Sequence, residues 1–189
     1  MGKQFDGIDD ALAAWIRAQH VFFVASAPLT GAGHVNLSPK GLDSLAILGP
    51  REVAYLDFVG SGVETIAHAR ENGRVTLMLC AFEGPPRIVR LQGRARVVEP
   101  DHAEFAGLAA KFAPRAGVRA VLRIALTRIT DSCGYGVPLM RYEGERKQLD
   151  AWAERKGAEG LRKYQLDNNR VSLDGLPGLE ANALRAEQD

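Results

Sequence analysis

The residues best suited to chemistry lie in two short stretches. The first is Gly60-Ser61-Gly62-Val63-Glu64-Thr65, at a strand-to-helix turn. Ser61 with Glu64 three residues later has the form of a capping box, which predicts a helix start here. The first amides of a helix point outward unpaired, and the helix dipole makes that end attractive to anions. Gly60 and Gly62 remove side chains that would hold a phosphate away, and the hydroxyls of Ser61 and Thr65 can donate to its oxygens. A plain capped helix would use the same residues, so both readings stand. The second stretch is His34-Val35-Asn36-Leu37-Ser38-Pro39-Lys40-Gly41, a short strand closed by a Lys after a Pro. It brings a compact positive charge to the end of a sheet, as phosphate binding requires. A single Lys at a turn is also commonly just a solvated residue.

Other chemistries find less support. Gly60-Ser61-Gly62 with Glu83 about 20 residues on resembles half of a dinucleotide-binding fingerprint, but Thr65 holds the third glycine position. There is no G-x-S-x-G, H-E-x-x-H or C-x-x-C, so neither a serine hydrolase nor a metal site is expected. His20, His34, His68 and His102 come without a partner pattern, and His68 and His102 read as surface residues of short helices. Cys80 reads as buried filler. Cys133 precedes the glycine-rich Gly134-Tyr135-Gly136-Val137-Pro138, where Tyr135 either packs on the core or lines a ligand.

The elements that must position these residues follow from periodicity. Ile8, Leu12, Trp15 and Ile16 form an amphipathic helical stripe. Strands are predicted at Val21 to Ala27, His34 to Ser38, Glu52 to Phe58, Arg74 to Phe82, Arg87 to Val98 and Arg119 to Thr130. Along Arg87 to Val98, Val89, Leu91, Ala95 and Val97 face one way, and Arg90, Gln92, Arg94 and Arg96 the other. Short helices are predicted at Val63 to Glu71 and from Pro100-Asp101 to about Phe112. From Arg141 to Arg170, eight basic and six acidic residues surround the stripe Leu149, Trp152, Ala153, Leu161 and Tyr164. That predicts a charged outer helix broken near Gly157 and Gly160. Long alternating strands with few helices between them predict a mainly β protein with flanking helices, an antiparallel Greek-key barrel rather than a doubly wound sheet.

Composition sets the limits. The chain has 189 residues and 20.5 kDa, with 46% hydrophobic and 25% charged residues, as expected for one globular domain. The domain would span residues 1–189, with the charged helical extension from about residue 141. A net charge of +1 argues against a basic nucleic-acid-binding face. Two cysteines make no disulfide framework, so a reduced, cytoplasmic protein is expected. No apolar run approaches the roughly 18 residues of a membrane span. Val21 to Ala27 follows a helix carrying Asp9 and Asp10, so it reads as a strand rather than a secretory signal.

Taken together, HVNLSPKG, the run Val53-Ala54-Tyr55-Leu56-Asp57 leading into GSGVETIAH, Arg70 to Val98 and Ser132 to Pro138 resemble the pyridoxamine 5'-phosphate oxidase-like family of FMN-binding split barrels. The likeness covers roughly residues 5 to 180. It implies a homodimer holding FMN in two clefts between the subunits. Phosphate contacts would come from the strand Val35 to Lys40 and the helix start Ser61, Gly62 and Thr65. The flavin ring would lie near Asn36, Leu37, Ser38, Leu56 and Asp57, with Arg87, Arg90 and Tyr135 completing the pocket from the partner subunit. The expected activity is an FMN-dependent oxidoreductase acting on a small molecule, with NAD(P)H as a possible electron donor. A non-catalytic flavin or haem binding protein, or one using a deazaflavin, is the alternative. Three cationic positions of the true oxidases hold Val35, Glu64 and Thr65 here, and the C-terminal ANALRAEQD lacks their Arg-rich motif. These departures argue against oxidation of pyridoxamine phosphate.

Overall fold

The computed structural model describes residues 2–180. The C-terminal ANALRAEQD, on which the missing Arg-rich motif was read, lies outside the described residues. One antiparallel sheet dominates, in the order β3-β2-β6-β7-β8-β5-β4, with β1 paired to β8. Its strands are β1 (Gln4–Phe5), β2 (Phe22–Ser26), β3 (Asn36–Lys40), β4 (Leu45–Gly49), β5 (Glu52–Phe58), β6 (Arg74–Cys80), β7 (Ile88–Val98) and β8 (Val118–Ser132). The hairpin β2-β3 flanks one side of the β6-β7-β8 meander and the hairpin β5-β4 the other, so the links between them are of the Greek-key kind. Among the described residues every strand pairing is antiparallel, which overturns the dinucleotide-binding alternative with its parallel β-α-β unit.

The sheet curls around an apolar core. Val24, Tyr55, Leu77, Leu91, Leu122 and Ile124 face inward, and helices α1 (Asp10–Arg17) and α2 (Glu64–Glu71) plug it with Leu12, Ile16 and Ile66. Asp9 caps α1 by accepting from the Leu12 amide at 2.8 Å. Below the other face of β5 and β8, Ala54, Leu56, Val98 and Val121 form a second cluster with Phe105, Leu108 and Phe112. Helix α4 (Gln148–Asn168) packs Ala153 and Leu161 on Val59, at the end of β5. It breaks at Gly157, whose φ of 64° lies in the left-handed region that glycine tolerates, while Gly160 stays helical.

Several boundaries differ from the sequence reading. Strand β4, with its half-buried LAILG, had no clear alternation and was not anticipated. Strand β3 begins at Asn36 and continues through Pro39 to Lys40; an edge strand tolerates the missing proline donor. The helix expected from Pro100 to Phe112 shrinks to α3 (Phe105–Ala109), and the helix expected from Arg141 begins only at Gln148.

Where β7 crosses β8 the chains approach closely. A Cβ added at Gly93 would overlap the Ala125 carbonyl. Gly93→Ala is therefore expected to cost about 1–3 kcal/mol by overpacking, measured as a lower urea midpoint at unchanged m-value.

Candidate functional site

The pairing register decides which predicted residues meet. Lys40, Ser38 and Asn36 pair with Phe22, Val24 and Ser26, so they share the inward face of the sheet. Leu37 and Pro39 turn the other way, opposite Ala25 and Phe23. At the centre of the inward cluster is Asp57, 1% exposed, with both carboxylate oxygens engaged. Lys40 Nζ donates to Oδ1 at 2.9 Å and Arg119 Nε to Oδ2 at 2.7 Å. Burial alone pushes the Asp57 carboxyl up; Arg119 and then Lys40 overcome it and hold the group below the usual carboxylate range. Two cations against one carboxylate leave a surplus of one positive charge. Lys40, one-fifth exposed, carries it to the surface.

Arg119 was invisible in the sequence. Asp57 pairs with Ala120 but Phe58 with Val118, so Arg119 is the extra residue of a β-bulge. Such a bulge re-aims a side chain, here from an otherwise apolar strand into the core beside Asp57. No alternation pattern signals this.

A second set of bonds ties β3 to α2. Asn36 Nδ2 donates to Thr65 Oγ1 at 2.8 Å, and Ser38 Oγ donates to Asn36 Oδ1 at 3.3 Å. Beneath them Ser26 Oγ lies 3.0 Å from His68 Nδ1. His68 is fully buried, which corrects its reading as a surface residue: its helix lies inside the curl of the sheet rather than on it. Burial pushes its pKa down. The Tyr55 hydroxyl is also buried in this neighbourhood and held well above its usual pKa, first by burial and then by Asp57.

The helix start differs from the capping box. Val63, not Ser61, is the N-cap of α2, and no side chain caps it. The Glu64 carboxylate folds back over Gly62 and accepts from the Leu173 amide at 3.3 Å. Residues 169–180 run across this turn as a strap. Asn169 Nδ2 donates to the Gly60 carbonyl at 2.9 Å, and Asp174 accepts from both the amide and Nδ1 of His34 at 2.7 Å. Ser61 remains exposed and Gly62 half-buried. Leu56 is not in this cluster: its side chain lies in the apolar layer under α3, because neighbouring strand residues face opposite sides.

The remaining predicted residues lie elsewhere. Arg87 and Tyr135 line a cleft of about 1330 Å³ between the end of α1, the β6–β7 turn and the segment after β8. Arg87 binds Asp131 Oδ2 through Nε at 3.2 Å and Nη2 at 3.0 Å, over the Trp15 ring. Tyr135 is exposed at the rim rather than packed on the core. Arg90 lies on the outer sheet face and donates to Ser132 Oγ at 3.0 Å. The pairing aligns Pro39, Phe23, Met78 and Arg90 on that face, and Leu37, Ala25, Thr76 and Gln92 beside them. Leu37 is 62% and Val35 75% exposed, so the face carries apolar groups open to solvent. Among the described residues no helix is long and apolar enough to cross a membrane.

An antiparallel sheet of this order, curled around a plugging helix and carrying a polar cluster at its β3 edge, is a split barrel. The comparisons agree. The family model described as pyridoxamine 5'-phosphate oxidase matches residues 8–133. The pyridoxamine 5'-phosphate oxidase family protein ustO of Aspergillus flavus is 41% identical over 194 residues, covering 94% of this chain and 78% of that protein. This chain belongs to the pyridoxamine 5'-phosphate oxidase family. Among solved structures, a variant of HupZ from Group A Streptococcus superposes with a TM-score of 0.54 at 23% identity, covering 66% of this chain and 99% of that one. HupZ itself gives 0.53 at 23% identity, covering 65% and 91%. These likenesses show the fold alone.

Proposed function

We propose that the protein is a homodimeric FMN-binding flavoprotein and that it works as an oxidoreductase on a small molecule. The observation that carries this reading is the Lys40–Asp57–Arg119 triad. It sets a net positive charge at the β3 edge, beside the half-buried Asn36 and Ser38 and the exposed Ser61. The donor set suits the phosphate and ribityl hydroxyls of FMN: an ammonium, an amide and hydroxyls, with Arg119 fixing the carboxylate that orients Lys40. Glu64 puts a negative charge at the start of α2. The phosphate therefore belongs on the Lys40 side, with Ser61, Gly62 and Thr65 at its margin. The single surplus charge of the triad, brought to the surface by Lys40, stands in part for the cations absent at Val35, Glu64 and Thr65.

FMN, when bound, supplies the two-electron redox chemistry, and the protein supplies binding and orientation. Lys40 donates to the phosphate and offsets part of its charge. Asn36, locked between Thr65 and Ser38, presents a fixed edge to the cofactor. The ring needs a second wall, and the solvent-open outer face with Val35, Leu37, Pro39 and Phe23 supports its coming from a two-fold partner. Arg87, Arg90 and Tyr135 of that partner would close over the ring. NAD(P)H is the proposed electron donor.

Light scattering at micromolar concentration tests the assembly. Twice the 20.5 kDa chain mass is expected; a monomer that retains FMN stoichiometrically contradicts the shared site. The redox role is tested by adding NADH or NADPH without air to the FMN-loaded protein. Bleaching of the yellow colour and its return in air are expected. A bound flavin that neither donor reduces leaves a carrier rather than an oxidoreductase using nicotinamide.

A further inference from the structure

The central strands β6, β7 and β8 carry seven arginines against a single carboxylate, Asp131. Asp131 is taken by Arg87 from outside the strands. Arg119 binds Asp57, Arg123 binds Glu52 and Glu104, and Arg96 shares Glu104. Arg74, Arg90, Arg94 and Arg128 therefore have no carboxylate partner among the described residues. All four stand on the outer face, because their strand neighbours Val75, Leu91, Ala95 and Ile129 are buried inward. The flavin reading uses Arg90 and none of the other three.

Arg74 and Arg94 are directly opposed across the β6–β7 ladder, where like charges repel. Yet they converge on one neutral residue, Asn72. Arg74 Nε donates to its Oδ1 at 3.2 Å and Arg94 Nη1 to its carbonyl at 2.5 Å. Arg128 lies on the next strand opposite Gln92, two residues from Arg94, and its exposed guanidinium has no partner among the described residues. Glu71 is the carboxylate that touches this group. Its Oε2 accepts from Asn72 Nδ2 at 3.1 Å and from the Leu29 amide at 2.8 Å. Counting Glu71 against the three guanidiniums leaves a surplus of two positive charges. An anion between Arg74 and Arg94 turns their repulsion into attraction. Arg94 has Nε and Nη2 left to donate, and Arg74 has Nη1, in the fork geometry that suits phosphate oxygens.

Position selects the anion. Arg94 lies four residues beyond Arg90 on the same face of β7, about 13 Å at the antiparallel rise per residue. That is the scale separating the nicotinamide of an extended dinucleotide from its phosphates, and Arg90 marks the flavin ring. Whichever subunit lends Arg90 to a flavin lends this group with it. A pyrophosphate alone asks for fewer cations than three arginines supply. A 2′-phosphate on the adenosine ribose adds about 1.5–2 negative charges and uses them. Resting on the flavin reading, we infer that Arg74, Arg94 and Arg128 dock the phosphates of the electron donor, and that this donor is the 2′-phosphorylated dinucleotide NADPH.

The test reads binding rather than turnover. Adenosine 2′,5′-bisphosphate and adenosine 5′-monophosphate are titrated calorimetrically into the full-length, FMN-incubated protein at pH 7. The bisphosphate is expected to bind about tenfold more tightly, because its second phosphate gains hydrogen bonds to charged donors. Added salt is expected to narrow that margin. Arg94→Gln with Arg128→Gln is expected to erase the margin and leave FMN retention unchanged. Arg155→Gln, exposed on α4, is expected to change neither. Arg94 and Arg128 are both exposed, so the double variant leaves the core packing intact. A parent that retains FMN but binds both nucleotides equally overturns this inference alone, as does a margin that survives in the double variant. A parent that keeps the margin but retains no FMN overturns the flavin reading and leaves the arginine site standing.

Discussion

Asp57→Asn is expected to cost about 3–5 kcal/mol of folding stability, because it removes the only anion from a buried group of three charges. Asparagine keeps the volume, so packing loss contributes little. What remains is Arg119, 6% exposed, with no counter-charge in a core of Tyr55, Ala120 and Leu122. For a chain of this length the loss corresponds to a fall in Tm of about 6–20 °C. The effect carries its own pH signature. The folded-state pKa of Asp57 is depressed, so its stabilisation is fully present above the unfolded value of about 3.9 and disappears as pH falls through the folded value. Parent and variant are therefore expected to differ most near neutral pH and to converge in acid. Melting curves from pH 7 down to about pH 2 measure this, with the difference shrinking only below about pH 4, under the unfolded carboxylate value. A constant difference across the range would show that the charge on Asp57 contributes nothing.

Lys40→Ala carries the second large effect, on binding. Replacing Lys40 takes the triad from a surplus of one positive charge to neutrality and removes the one ammonium that reaches solvent there. A hydrogen bond to a charged group contributes about 1.5–3 kcal/mol, so FMN affinity is expected to fall more than tenfold. Because that contribution is electrostatic and partly exposed, the parent's affinity should weaken more steeply with added salt than the variant's. Asp57 loses only one of its two partners, so the fold survives. Fluorescence titration of FMN at low and high salt measures both effects. Equal affinity in parent and variant would move the phosphate away from β3.

These predictions rest on residues of unequal legibility. Lys40, Asn36 and Thr65 were readable because an edge strand and a glycine-flanked helix start announce themselves in local sequence. So was the inward and outward sorting of β7, where Val89 and Leu91 are buried and Arg94 and Arg96 exposed. Arg119 was not readable, since its inward aim depends on a bulge created by the register of β5 on β8. His68 looked like a surface histidine because α2 is short, and only the curl of the sheet puts it inside. Glu64 looked like half of a capping box until a segment over a hundred residues later supplied the Leu173 amide as its partner. Local rules described the elements well; long-range partners decided which way the polar side chains turned.

The role of Leu56 illustrates the same point. The strand run Val53 to Asp57 is buried at every position, so no period-two signal shows which residues face the site. Asp57 and Tyr55 face the core side with Lys40, and Leu56 faces α3.

The most direct test of the flavoprotein account is the stoichiometry and identity of the retained cofactor. The purified protein is incubated with excess FMN and desalted. The bound chromophore is then quantified by its absorbance and, after release by denaturation, identified by mass. One FMN per chain is expected, two per dimer. A folded protein that retains no flavin, or one that releases haem or a deazaflavin instead, would contradict the account.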